Sequence, residues 1–142
     1  MEISMLSPYK KPMRIPTNFL DMFKRPIIAC IATLMPDGAP HLTPIWIDYD
    51  DNHLLFTVIK GHVKDRNMAT RPEVAITLFD PENPYRYIMI QGRVVEITEA
   101  GAHDHSQKMA KKYLGPAGEY VFKAGEIPHL FKVRPHKISA SN

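Results

Sequence analysis

The spacing of its apolar runs is what most constrains how this chain can fold. The runs are short, rich in β-branched and aromatic residues, and separated by tight-turn signals. IIACIATL (27–34) leads into MPDGAP, where Asp37-Gly38 marks the tip of a turn. HLTPIWIDY (41–49) is followed by a turn at Asp50, Asp51 and Asn52, and then by HLLFTVIK (53–60). EVAITLFD (73–80), the turn PENP and YRYIMIQGRVVEI (85–97) continue the series, and IPHLFKVRPHKI (127–138) ends it. Short strands joined mainly by tight turns predict a mainly β fold, a six-stranded antiparallel barrel with a few short helices.

The helices fall between these strands. Thr17 is placed to cap a short helix, NFLDMFKR, which Pro26 follows. A second helix is expected from Lys64 to Thr70, ended by Arg71-Pro72. A third runs from a Thr98 cap to Leu114, with Met109, Ala110, Tyr113 and Leu114 on its apolar face. Gly115-Pro116 stops it, and residues 115–126 read as a flexible segment. Two strand positions are irregular. Gly92 predicts a bulge or a close backbone approach. Pro44 cannot donate to a sheet ladder, so its strand lies at an edge or a bulge.

A chain of 142 residues fits one domain with a real core. Residues 1–16 are expected to form an extended N-terminal arm and 17–142 a single domain. An apolar fraction of 44% argues against disorder. No run approaches the roughly 20 apolar residues of a membrane helix, and no apolar segment follows the N-terminal lysines as in a signal peptide. The single cysteine, Cys30, allows no intrachain disulfide, and the expected location is the cytoplasm. The net charge of +3 is too small to argue for nucleic acid, and no RNA-binding aromatic motif or helix-turn-helix spacing is present. Lys60, Lys64, Arg66 and Arg71 nevertheless flank a glycine turn, where they read either as solvated side chains or as a field for an anionic ligand.

HExxH, CxxC, GxSxG and GxGxxG are all missing. His103 and His105 stand two apart on a helix and so point in different directions, and no metal site is expected. His41, His53, His129 and His136 are expected on the surface. A protein with no evident nucleophile or metal cluster can still be an enzyme if a cofactor supplies the reactivity. The stretch LFTVIKGHVKDRNM (55–68) points to such a cofactor. A strand runs into Gly61, turns through His62 and Val63, and enters a helix at about Lys64. Backbone amides, the positive end of a helix dipole and a lysine meet there, which suits phosphate. Lys64 is the best single candidate, and its other reading is a solvated first-turn lysine. Asn67, one turn on, faces either the loop or a ligand. Around Pro44, Thr43 and Ile45 form an irregular strand on which a flat aromatic ring can lie, and Trp46 serves either that ring or the core.

The DGAPHLTPIW strand pair, the K-x-x-N helix start at 64–67 and DPENPYRYIMIQGRVVEIT resemble the pyridoxamine-phosphate-oxidase-like split β-barrel family. Within it the chain is similar to the deazaflavin (coenzyme F-420)-dependent oxidoreductases and their flavin-binding relatives, and the resemblance spans about 17–138. It implies an FMN-binding-type split barrel and a homodimer with the cofactor at the subunit interface. It sets Thr43, Pro44 and Ile45 against the tricyclic ring, places Thr57, Val58, Gly61, His62 and Val63 along the ribityl and phosphate, and matches Lys64 to the phosphate-binding basic residue. His62 and Val63 depart from the basic or small polar residues common there. The implied activity is hydride transfer between reduced F-420 (8-hydroxy-5-deazaflavin) and a conjugated small organic substrate. The alternatives are an FMN-dependent oxidoreductase of the same fold and a non-catalytic flavin- or haem-binding carrier. Neither nucleic acid nor membrane is an expected partner. No proton donor is singled out among Tyr85, Tyr87 and a bound water.

Overall fold

A computed structural model describes residues 13–142, so most of the expected N-terminal arm lies outside the described residues. The element order is a 3-10 turn at Thr17–Phe19, α1 (Asp21–Lys24), β1 (Ala29–Leu34), β2 (Pro40–Ile45), β3 (Asp48–Asp50), β4 (His53–Ile59), α2 (Val63–Thr70), β5 (Glu73–Asp80), β6 (Asn83–Thr98), α3 (Ala102–Leu114) and β7 (Pro128–Ser141). The short first helix is thus split in two, and no side chain caps either part. Seven strands rather than six form one antiparallel sheet in the order β2-β1-β5-β6-β7-β4-β3.

The extra strand arises where 41–49 was expected to be continuous. The chain leaves β2 at one edge and enters β3 at the other after only Trp46 and Ile47. Two residues can bridge the edges only if the sheet curls until they are close, and they are not paired with each other. The result is a split barrel, open along one seam. Pro44 sits opposite Cys30 in the outermost strand, β2, where its missing N–H costs no ladder bond.

Alternation along the strands fills the interior. Phe56 of β4 is in register with Phe131 of β7, and their rings stack at 5.5 Å. Ile31, Ile47, Leu54, Ile76, Leu78, Ile88, Ile90 and Val133 are buried with them. Each such side chain contributes roughly 1.5–3 kcal/mol relative to exposure. The long β6 pairs with β5 on one side and β7 on the other, and its register against β7 shifts between Gln91 and Gly92, the expected irregularity. Thr98 does not cap α3. It remains in β6, opposite Leu130, and Gly101 stands at the helix start. The buried stripe of α3 is Ala102, His105, Ser106, Met109 and Ala110, while Leu114 is exposed.

Outside the barrel an ionic network anchors α1. Arg25 donates to Asp80 at 3.0 and 3.1 Å, and Arg86 donates to Asp21 at 2.7 Å and to Asp80 at 3.0 Å. The Arg86 guanidinium also lies 5.1 Å above the Phe19 ring. The hydrogen bond from Arg25, helped by the Glu82 amide, holds the Asp80 carboxyl well below the usual carboxylate range. A lowered folded-state pKa means that the contribution is complete above the unfolded carboxyl pKa of about 4 and disappears as pH falls through the folded value. Urea unfolding of the parent protein and of Asp80→Asn should therefore differ most near neutral pH. The gap should narrow steadily on acidification below about pH 4. A gap independent of pH would mean that Asp80 contributes shape rather than charge.

Candidate active site

Beside the open seam lies a cavity of about 330 Å³. One wall is the edge segment Pro44, Ile45 and Trp46, together with Ile28. The opposite wall is Thr57, Val58 and Ile59 of β4, with Ser106 of α3 donating to Thr57 Oγ1 at 3.1 Å. Tyr120 and Phe122 line it from the segment between α3 and β7, while His62 and Lys64 stand where the chain enters α2. A second depression of about 360 Å³ shares His62 and Lys64 and adds His41, Gly61, Val63 and Arg66. The two form an apolar slot beside a basic recess.

Lys64 links these regions. Its Nζ donates to Thr43 Oγ1 at 2.9 Å, which ties α2 to the edge strand, and no carboxylate of the described residues pairs with it. Burial pushes its pKa below the ordinary lysine value. A half-buried ammonium whose described partner is a neutral hydroxyl is well suited to an anion.

The amides at the turn are less free than expected. Gly61, at φ +90°, donates its N–H to Asp65 Oδ2 at 2.8 Å, and the His62 N–H goes to Ile59 O at 3.1 Å. Arg66 donates to the Gly61 carbonyl. The other Asp65 oxygen is 2.7 Å from His129 Nδ1, so the turn is tied to β7. His129 is therefore no surface histidine, and His136, 3.4 Å from Glu73, is also largely covered. No side chain caps α2, so no capping group competes for its first-turn amides beside Lys64.

Of the residues singled out from sequence, Pro44, Ile45, Thr57, Val58, His62 and Lys64 line the slot. Thr43 reaches it through Lys64, and Gly61 and Val63 line the adjoining recess. Asn67 is elsewhere. It is 2% exposed and donates to Thr33 Oγ1 at 3.0 Å, while its carbonyl oxygen accepts from Arg71, so it locks α2 to β1. Tyr85 and Tyr87 do not line the slot; Tyr85 is 81% exposed on β6.

An aromatic cluster forms the cover. Trp46 lies outside the buried core, stacks on Tyr113 at 5.3 Å and lines the slot. The Tyr113 hydroxyl donates to Ile27 O at 2.7 Å and accepts from the Ile47 N–H at 3.1 Å, fixing the chain where it crosses between sheet edges. Tyr120 meets Trp46 edge-on at 6.4 Å and packs on Phe122 at 4.6 Å. Burial raises the Tyr120 pKa, so its hydroxyl keeps its proton at neutral pH. Tyr120 and Phe122, with Ser106 and Ile28, are wall residues that the sequence reading does not single out. The one available signal was the alternation Tyr120-Val121-Phe122, in which Val121 is 78% exposed and its neighbours face the protein.

Gln107 holds this cover. Its Nε2 donates to Tyr120 O at 2.9 Å and its Oε1 accepts from Tyr120 N–H at 3.0 Å, as a neighbouring strand would. Loss of two such bonds lowers the cost of opening by about 1–3 kcal/mol. Gln107→Ala should therefore be cut by trypsin after Lys123 roughly tenfold faster or more, with little change in global unfolding. Equal cleavage rates would show that other contacts hold the segment.

A family model described as pyridoxamine 5'-phosphate oxidase matches residues 15–142. Among solved structures, the chain is similar to one called an F420 reductase, with 29% identity, a TM-score of 0.78, and 88% of this chain and 98% of the other covered. It also superposes on a conserved hypothetical protein from Mycobacterium tuberculosis, at 19% identity and TM-score 0.73, covering 94% and 88% of the two chains. General stress protein 26 from Bacillus anthracis shares the fold at 17% identity and TM-score 0.64, covering 85% and 88%. Comparison with curated proteins finds no match. Among the described residues, no helix is long and apolar enough to cross a membrane. With the family model spanning nearly the whole split barrel, the chain belongs to the pyridoxamine 5'-phosphate oxidase family.

Proposed function

We propose that this protein is a cytoplasmic oxidoreductase that passes a hydride between reduced deazaflavin coenzyme F-420 and a conjugated small organic acceptor. The observation that carries this reading is the junction of an apolar slot with a basic recess at Lys64. A flat ring joined to an anionic tail has the matching shape and charge. The likeness to a protein called an F420 reductase favours the deazaflavin over FMN.

When bound, the deazaflavin supplies two-electron hydride chemistry. Lys64, Thr43 and the first-turn amides of α2 hold the phosphate, while Pro44, Ile45 and Trp46 orient the ring and exclude water. Tyr120, protonated at neutral pH and lining the same slot, is placed to hold the proton that the reduced acceptor needs. The working unit is a homodimer. On the outer face of the sheet, Phe79 and Met89 are exposed on adjacent strands with Tyr85 beyond them, an apolar surface for a second copy. Sedimentation at micromolar concentration should give twice the chain mass.

The purified protein should bind added F-420 more tightly than FMN and, with reduced F-420, turn over at least one member of a panel of quinones, enones and tetrapyrroles. Reappearance of deazaflavin absorbance above the protein-free control is the measure. A stoichiometric yellow FMN complex on purification would move the assignment to an FMN enzyme. Tight binding without turnover across the panel would move it to a carrier.

A further inference from the structure

A further cavity, of about 410 Å³, lies between α1, β3 and α3 and shares no residue with the slot. Leu20, Phe23 and Met109 give it an apolar lining, and Lys24, Lys108 and Lys112 add three lysines from the same two helices. Asp48 and Tyr49 complete the lining.

Lys112 decides what the cavity can hold. Its Nζ donates to Ile47 O at 2.6 Å and to Phe23 O, which occupies two of its three hydrogens. The third makes no hydrogen bond among the described residues, and the ammonium lies 5.1 Å from the centroid of the Tyr113 ring. Burial pushes the Lys112 pKa down to about 8; the charge on Asp48 opposes that push and the charge on Lys108 adds to it. Asp48 is already engaged. Its Oδ2 accepts from Lys108 at 3.1 Å and lies 3.4 Å from His105 Nε2, and its Oδ1 accepts from the Tyr49 N–H at 2.9 Å. Three ammonium groups thus surround a cavity whose one carboxylate is shared.

We propose that this cavity binds an amphipathic carboxylate. Its head group accepts the remaining N–H of Lys112 between Lys108 and Lys24, and its apolar chain lies along Leu20, Phe23 and Met109. Occupancy is also felt at the slot. Lys112 precedes Tyr113, which stacks on Trp46, the single tryptophan of the chain. The proposal stands apart from the cofactor reading, since none of these residues contacts the slot except through that stack.

Octanoate is the probe, titrated into the full-length protein while Trp46 fluorescence and heat are followed. Calorimetry in two buffers of different ionisation enthalpy should show proton uptake on octanoate binding that is greater at pH 8 than at pH 6.5. The groups facing Lys112 are Lys24 from α1, Asp48 and Tyr49 from β3, and His105, Lys108 and Tyr113 from α3. Burial holds the Lys112 pKa low, and a bound carboxylate offsets that push. Lys112→Met should abolish the uptake and weaken binding about tenfold or more. Lys108→Gln alters a side chain that is 65% exposed, leaves the fold intact and should weaken binding several-fold, so the test does not rest on how Lys112→Met folds. Lys64→Ala should bind octanoate like the parent, and octan-1-ol and acetate should not compete. Absence of saturable binding, absence of proton uptake, unchanged affinity in Lys108→Gln, or loss of binding in Lys64→Ala would each overturn the proposal.

Discussion

Lys64→Ala is expected to weaken F-420 binding by about 10- to 100-fold while leaving the cofactor-free protein nearly as stable as the parent. A charge-assisted hydrogen bond to phosphate contributes roughly 1.5–3 kcal/mol, which converts to that range of affinity. The stability side follows from the same geometry. Lys64 donates to Thr43 Oγ1, but burial disfavours its charge, so truncation removes one hydrogen bond and one desolvation cost together. Because the folded, empty protein already holds Lys64 below its ordinary pKa, affinity should also begin to fall with rising pH sooner than it would for a solvated lysine. Absorbance titrations of parent and variant from neutral to alkaline pH measure both effects. Normal affinity in Lys64→Ala would transfer the phosphate to His41, His62 and Arg66 around the adjoining recess.

Gly92→Ala carries the largest expected effect on folding. A Cβ at this buried position would lie 2.6 Å from Val133 Cγ1 and 2.9 Å from the Arg134 carbonyl oxygen. The valine can turn only within a packed core, and the carbonyl belongs to β7, paired to β6 on both sides of the bulge. Overpacking of this kind costs about 1–3 kcal/mol, or a fall in melting temperature of roughly 3–12 °C. Gly38→Ala is the comparison, since nothing lies within 4 Å of its added Cβ and only backbone strain is changed. If Gly92→Ala melted no lower than Gly38→Ala, the close approach of β6 and β7 would be disproved.

The elements that read cleanly from sequence are those set by neighbours a few residues away. β5 was legible to the residue, at Glu73–Asp80, because prolines bracket it and its alternation is regular. The bulge at Gly92 and the edge position of Pro44 were legible because each residue type tolerates few alternatives. Thr98 misled because local cap chemistry lost to pairing: its place opposite Leu130 keeps it in β6. Asn67 shows a related effect. Its spacing from Lys64 fits a ligand, but α2 packs on β1 and turns the amide to Thr33.

By itself the sequence determined the strand succession, the Gly61 turn into α2 and the basic character of that turn, all products of periodicity and turn chemistry acting over a few residues. Only the tertiary structure decided that 41–49 breaks at Trp46 and Ile47, that Tyr120 and Phe122 come to cover Pro44 and Ile45, and that His129 reaches across to Asp65. Those outcomes depend on how far the sheet curls and on which residues distant in sequence then share a surface. Side-chain pairing across 64 or more positions leaves no local pattern to read.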